Sequence, residues 1–116
     1  SKLCLSCHDG TVALENFGSV TNGSNYITGD AKLGTDLSDD HPVSFVYNAS
    51  LATSDGELND PTTTNSGLGS TIDADMLDSN SKLQCASCHD PHDNTNSPFL
   101  VKSNSASALC LTCHDK

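Results

Sequence analysis

Residues 83–116 read LQCASCHDPHDNTNSPFLVKSNSASALCLTCHDK and contain two C-x-x-C-H motifs, at 85–89 and 110–114. A third motif, CLSCH, lies at residues 4–8, and together the three motifs use all six cysteines of the 116-residue chain. In such a motif two thiols can bond one edge of a porphyrin while the adjacent histidine reaches the iron from one face. The sequence therefore predicts three covalently attached c-type haems.

The predicted attachment sites follow from the motif positions. The cysteines that would form thioether bonds are Cys4, Cys7, Cys85, Cys88, Cys110 and Cys113, and the proximal iron ligands would be His8, His89 and His114.

Two other roles for the cysteines explain less of the pattern. A structural zinc site takes four ligands, so two cysteine pairs could form one Cys₄ site, but the third pair and the histidine after each pair would have no role. A disulfide framework requires no histidine after every second cysteine.

Composition and charge exclude several kinds of partner and favour a cofactor-filled interior. The chain has a formal net charge of −10 and a pI near 4.4, and its five lysines are scattered. Nucleic acids and anionic membrane surfaces require clustered basic residues, so we expect neither as a partner. No stretch is long and apolar enough to span a bilayer. With 34% apolar residues and no Trp, the chain is too polar to form a large core, which favours a bulky cofactor as its interior.

The chain is predicted to form one domain, residues 1–116, organised around its motifs. Residues 1–14 carry the first motif, 15–80 are rich in turn-forming residues, and 81–116 carry the doubled motif. The predicted fold is mostly coil with a few short helices and at most one small β-hairpin, with haem as its core. Each motif is expected on a helical turn, residues 103–114 are the best helix candidate, and VSFVY at 43–47 is the one run with strand character. The N-x-S sequons at 22–24 and 48–50 are interpreted as surface loops.

Two histidines lie outside the motifs, His41 and His92. His92 follows His89 by three residues, which span at most roughly 10 Å. Since the two axial ligands of one haem approach from opposite faces of a wide macrocycle, His92 is expected to bind a different haem from the one held by His89. His41 is predicted to be an axial ligand because three irons need distal ligands and only two spare histidines exist.

The histidine count leaves one iron short of a second histidine. Three haems with two histidines each need six, and the chain has five. Candidates for the missing position are Met76, a lysine, the Ser1 amine, water, or a group from a different polypeptide. For Met76, the only methionine, the alternative interpretation is a spacer in an acidic loop.

The doubled motif at 83–116 resembles the doubled-CxxCH module of multihaem cytochromes c. The stretches CLSCHDGTVAL at 4–14 and LGTDLSDDHPVSFVY at 33–47 are similar to segments that precede that module in bacterial members. The resemblance implies that His92 is the distal ligand of the haem on Cys110 and Cys113, and that His41 serves the haem on Cys85 and Cys88. Similar proteins often have a further CxxCHxPH element upstream, which this chain lacks, so the haem on Cys4 and Cys7 is the one expected to lack a distal histidine.

The resemblance implies an electron-transfer protein that is not an enzyme. Relatives include periplasmic or extracellular carriers and subunits of extracellular cytochrome filaments (nanowires), in which haems stack from subunit to subunit. Since 116 residues for three haems leave fewer than 40 for each, we expect exposed haem edges and a homopolymer formed by end-to-end haem stacking. Other redox proteins or extracellular acceptors would be its partners.

Two alternatives stay open beside the filament. One is a monomeric periplasmic carrier, and the other is a haem enzyme with an open coordination site, for which no acid–base constellation is apparent. We expect an exported protein, extracellular or periplasmic, with a leader removed or omitted, because haem is attached to CxxCH outside the cytoplasm.

Overall fold

The computed structural model describes all 116 residues, and most of them form coil. Four short α-helices interrupt it: α1 at Lys2–His8, α2 at Ala49–Asp55, α3 at Ile72–Met76 and α4 at Cys110–Cys113. Three single 3₁₀ turns lie at Gly29–Ala31, Cys85–Ser87 and Ser105–Ser107. There is no strand and no sheet, only four isolated bridges. The predicted fold class, mostly coil with a few short helices, is confirmed.

The β-hairpin that the sequence allowed is not formed. Ser44 has a positive φ of 66°, which interrupts the extended backbone of the run at 43–47. The run instead makes three separate backbone hydrogen bonds to residues 81–83: Ser44 N–H to Leu83 O, Leu83 N–H to Phe45 O, and Tyr47 N–H to Ser81 O. This pairing amounts to one bridge, between Val46 and Lys82, and it ties the run to the residues just before the second motif.

The helix predicted for residues 103–114 is also wrong, since only a 3₁₀ turn and α4 form there. Ala106 and Ser107 have φ of 52° and 62°, in the left-handed region where a right-handed helix cannot continue. The Asn104 side chain accepts a hydrogen bond from the Leu109 N–H at 3.1 Å. Local bonding of this kind competes with helix formation, and the chain becomes helical again only at Cys110.

The backbone divides into two compact units, Ser1–Pro42 and Val43–Lys116. The boundary lies inside the loop-rich region at 15–80 and directly after His41. The first unit therefore carries one C-x-x-C-H motif and the second carries two. A single domain for the haem-loaded chain stays a prediction.

The first unit is held by hydrogen bonds with almost no apolar core. Ala13 is its only buried hydrophobic residue, whereas Leu3 and Phe17 are 87% and 75% exposed. The Glu15 carboxylate accepts the Ser24 N–H at 2.7 Å and the Asn25 N–H at 3.1 Å, which closes a loop over residues 15–25. Backbone N–H groups, those of Glu15 itself and Ser24 foremost, hold the pKa of this carboxyl below its usual value.

The second unit contains the apolar core. Its buried members are Tyr47, Ala52, Ile72, Met76, Leu83 and Leu109. Three of them come from the short helices α2 and α3: Ala52 lies on α2, and Ile72 and Met76 lie on α3. The Asn48 side chain caps α2 by accepting the Leu51 N–H at 2.9 Å, and Gly56, with φ of 80°, ends that helix. Partly buried Cys88 and Cys113 pack against this core, so both motifs of the unit are supported by it.

Candidate haem-attachment sites

Each C-x-x-C-H motif lies on a helical turn, as predicted. The first is on α1, the second on the 3₁₀ turn Cys85–Ser87, and the third on α4. A turn of this kind brings residues three and four apart onto one side, so both thiols and the following histidine face the same region. None of the six cysteines forms a disulfide, and no three or more Cys, His, Asp or Glu side chains are grouped to hold a metal ion.

Two of the three histidines predicted to be proximal ligands are oriented by backbone carbonyls. The Nδ1 of His8 lies 2.7 Å from Ala31 O, and the Nδ1 of His89 lies 3.0 Å from Pro98 O. A carbonyl oxygen can only accept, so each Nδ1 carries the proton and donates it. The other ring nitrogen, Nε2, is then the bare one that an iron would bind. His41 makes the same type of contact, with its Nδ1 2.9 Å from Pro42 O.

These features fit c-type haem. Paired thiols on a turn match the two vinyl groups of one porphyrin edge, and a histidine with its Nδ1 proton engaged matches an axial iron ligand. When bound, the haem iron supplies one-electron redox chemistry. The polypeptide contributes the attachment bonds, the axial nitrogens and the surroundings that set each potential.

A hydroxyl group holds each attachment turn, and this feature was missed in the sequence. The residue before the second cysteine is Ser6, Ser87 or Thr112 in the three motifs. Ser6 Oγ donates to Leu3 O at 2.6 Å and Thr112 Oγ1 donates to Ala108 O at 3.0 Å. Ser87 Oγ accepts the Gln84 N–H at 2.9 Å. The recurrence of Ser or Thr at this position was the available signal.

The second motif is fixed to the chain that follows it. Val101 N–H donates to Cys88 O at 3.0 Å, and His89 forms an antiparallel bridge with Leu100. On its other side, the Gln84 amide donates to the Asp78 carboxylate at 2.9 Å. This bond is the main reason that the pKa of Asp78 lies below its usual value. The second attachment turn is therefore held on both sides.

The third motif is fixed from the core. The Tyr47 hydroxyl donates to Asn59 O at 2.5 Å and to Cys113 O at 3.3 Å, and Asn59 N–H donates to Cys113 O at 2.8 Å. Lys102 Nζ donates to Thr112 Oγ1 at 3.0 Å. Burial is the main cause of a strong upward shift in the pKa of Tyr47. This phenol therefore stays protonated and keeps donating over the physiological pH range.

The second and third motifs lie close to each other within the second unit. Burial raises the pKa of the Cys88 thiol, and the charge of Cys110 adds to the rise. Burial likewise raises the pKa of Cys113 to about 11, with the charge of Cys88 adding and that of Lys102 opposing. Cys88 and Cys113 also pack against the same small core, so haems attached at the two motifs would be neighbours.

The two remaining histidines are both exposed. His92 lies in a turn after the second motif, where its N–H donates to Asp90 Oδ1 at 2.9 Å. His41 is the next-to-last residue of the first unit, whereas Cys85 and Cys88 belong to the second. The assignment of His41 and His92 as distal iron ligands stays a prediction.

Met76 is a core residue. It is only 4% exposed, at the end of α3 and within the apolar cluster of the second unit. Its interpretation as a spacer in an acidic loop is therefore wrong. Its packing provides a structural role for the only methionine of the chain.

The comparisons with known proteins agree with the attachment chemistry. Residues 79–116, about a third of the chain, match the family described as the doubled CXXCH motif. No curated protein matches the chain significantly. The doubled motif supports a multihaem cytochrome of the c type, in which CXXCH elements bind haem iron covalently. A haem-binding role in electron transfer follows from that class. None of the helices is long and apolar enough to cross a membrane.

Proposed function

We propose that this chain transfers electrons through three covalently attached haems, one at each C-x-x-C-H motif, and catalyses no reaction of its own. The observation that carries the proposal is the common construction of the three motifs. In each motif, two cysteines and a histidine lie on a helical turn, and a hydroxyl group holds that turn by a hydrogen bond. The first motif lies outside the matched residues 79–116, but it has the same construction. Its histidine, His8, also has its Nδ1 beside a backbone carbonyl, as His89 of the second motif does.

The proposed iron ligands are the five histidines that the sequence predicted. His8, His89 and His114 would be proximal ligands, His92 the distal ligand of the Cys110/Cys113 haem and His41 that of the Cys85/Cys88 haem. The closeness of the second and third motifs supports direct electron transfer between their haems, because both are attached around one small core.

The finer proposal is that the chain is an exported subunit of an extracellular filament. The first unit supports it, since large apolar side chains such as Leu3 and Phe17 are exposed there at 87% and 75%. A haem at Cys4 and Cys7 would cover part of this surface, and a neighbouring chain would cover the rest.

Haem stoichiometry tests the electron-transfer proposal. Intact mass of the chain produced with a c-type maturation system should exceed the polypeptide mass by three haems, and visible spectra should show low-spin iron at the two haems that have a proposed distal histidine. The double variant Cys4→Ala, Cys7→Ala should lose one haem and retain the other two. A wild-type mass with fewer than three haems contradicts the proposal. A high-spin oxidised signal together with cyanide binding, and with turnover of a small substrate, contradicts the absence of a catalytic site.

Assembly is tested separately on the haem-loaded chain. Negative-stain microscopy and light scattering at increasing concentration should show linear polymers, and Leu3→Ser should shorten them. A conservative control, Leu3→Met, should leave their length unchanged. Monomers alone at high concentration would reject the filament and favour a periplasmic carrier, without affecting the haem proposal.

A further inference from the structure

Lys102 occupies a built site beside the third attachment turn. Its side chain is half-buried, and its ammonium donates to Ser66 O at 2.7 Å and to Thr112 Oγ1 at 3.0 Å. Gly67, with φ of 78°, borders this site, and a Cβ there would lie 2.8 Å from Lys102 Nζ. The local backbone is therefore shaped around the ammonium group.

No carboxylate lies within ion-pair distance of this ammonium. The one ion pair of the chain joins Lys116 to Glu57 at 2.6 Å, and both of those side chains are 61% exposed. Lys102 connects to a carboxylate only indirectly, through Ser66. The carbonyl oxygen of Ser66 accepts from Lys102, and its buried hydroxyl donates to the Asp75 carboxylate. Water and counter-ions screen a half-buried charge less than an exposed one. Near the third motif, the electric field of Lys102 is therefore less attenuated than that of Lys116.

We propose that Lys102 raises the reduction potential of the haem attached at Cys110 and Cys113. The inference rests on the proposed function, since it requires that haem to be present. Thr112 lies between the two attachment cysteines, so an ammonium 3.0 Å from its hydroxyl is within roughly one screening length, about 10 Å, of the thioether bonds. Reduction adds an electron to the haem, and a nearby positive charge favours the reduced form.

The consequence is a local rise in one potential. The chain carries a net charge of −10, which lowers the potentials of all haems together. A half-buried cation held at the third attachment turn opposes this effect for the haem attached there. The potential of the haem on Cys110 and Cys113 is then higher than it would be without Lys102.

The test is a potentiometric titration of the haem-loaded chain followed by visible absorbance. Lys102→Gln keeps an N–H donor for Ser66 O and Thr112 Oγ1 but removes the charge. One midpoint potential should move to a more negative value and the others should stay. Lys102→Arg, which keeps the charge, should remain close to wild type. Lys116→Gln is the matched control: it removes one charge near the same motif from an exposed position and should give a clearly smaller shift.

Intact mass of each sample separates the possible failures. A wild-type chain without haem at Cys110 and Cys113 refutes the proposed function. A fully loaded Lys102→Gln chain with unchanged potentials, or with the same shift as Lys116→Gln, overturns the role of Lys102. If Lys102→Gln does not take up three haems, Thr112→Val is measured instead. It retains the ammonium but releases it from the turn, so a partial negative shift supports the inference and no shift overturns it.

Discussion

Tyr47 joins the apolar core to the third attachment turn, so removal of its hydroxyl should destabilise the second unit. The side chain is buried, and its hydroxyl donates to Asn59 O at 2.5 Å and, more weakly, to Cys113 O at 3.3 Å. Tyr47→Phe keeps the ring and its packing. Asn59 O loses its hydrogen-bond donor, whereas Cys113 O keeps the bond from Asn59 N–H.

The size of the effect follows from one lost hydrogen bond and one carbonyl left unsatisfied. A hydrogen bond contributes ~1 kcal/mol net, and an unpaired buried acceptor costs ~1–3 kcal/mol. Asn59 is only partly buried, so we expect the free energy of unfolding to fall by about 1–2 kcal/mol. With a urea m-value of ~1–3 kcal/mol/M, the unfolding midpoint should fall by roughly 0.3–2 M.

The assay is urea unfolding of the haem-loaded chain, followed by the visible absorbance of the haems as their ligation changes. Tyr26→Phe is the matched control, because Tyr26 lies in the first unit and is about half exposed. Its midpoint should differ little from wild type. If Tyr47→Phe shifts the midpoint no further than Tyr26→Phe does, the hydroxyl does not anchor the attachment turn and the reasoning fails.

Three other predictions concern pH, a helix cap and the core methionine. Because burial raises the pKa of Tyr47 above ~10, the stability that its protonated form provides is complete below about pH 10 and is lost as pH rises toward the raised pKa. Urea midpoints should therefore fall in alkali more for wild type than for Tyr47→Phe, and equal losses would argue against this. Asn48→Ala removes the cap of α2 and should cost ~1 kcal/mol in urea unfolding, whereas Ser50→Ala, which removes the same sequon, should cost less. Met76→Ala should cost ~2–5 kcal/mol and Met76→Leu less than ~1.5 kcal/mol, with unchanged visible spectra. A spectral change in either would show that the thioether binds iron.

The attachment turns could be predicted from sequence because their geometry is local. Five consecutive residues carry both thiols and the histidine, and the chemistry of the porphyrin edge demands that spacing. The short helices at all three motifs agree with this expectation. The coil-rich fold was predictable for a related reason, since low apolar content and frequent turn residues leave few segments able to form long helices.

The residues that hold the third attachment turn depend on tertiary contacts that no local sequence pattern indicates. Tyr47 and Cys113 are 66 residues apart, and Lys102 and Ser66 are 36 apart. Residues 43–47 were predicted to have strand character, but they form only one isolated bridge and place Tyr47 in the core. Met76 was misjudged because its neighbours are acidic, although the register of α3 turns Ile72 and Met76 to the same buried side.

The two units differ in how far the polypeptide alone can hold an attachment site. In the second unit, six buried residues form a core, and Cys88 and Cys113 pack against it, so apolar side chains of the polypeptide support both turns. In the first unit, Ala13 alone is buried, and the turn that carries Cys4 and Cys7 has no apolar support. Hydrogen bonds such as those of Glu15 close its loop but exclude little water. Covalent haem would supply the missing apolar surface there, and this makes the first unit the one whose stability depends most on the cofactor.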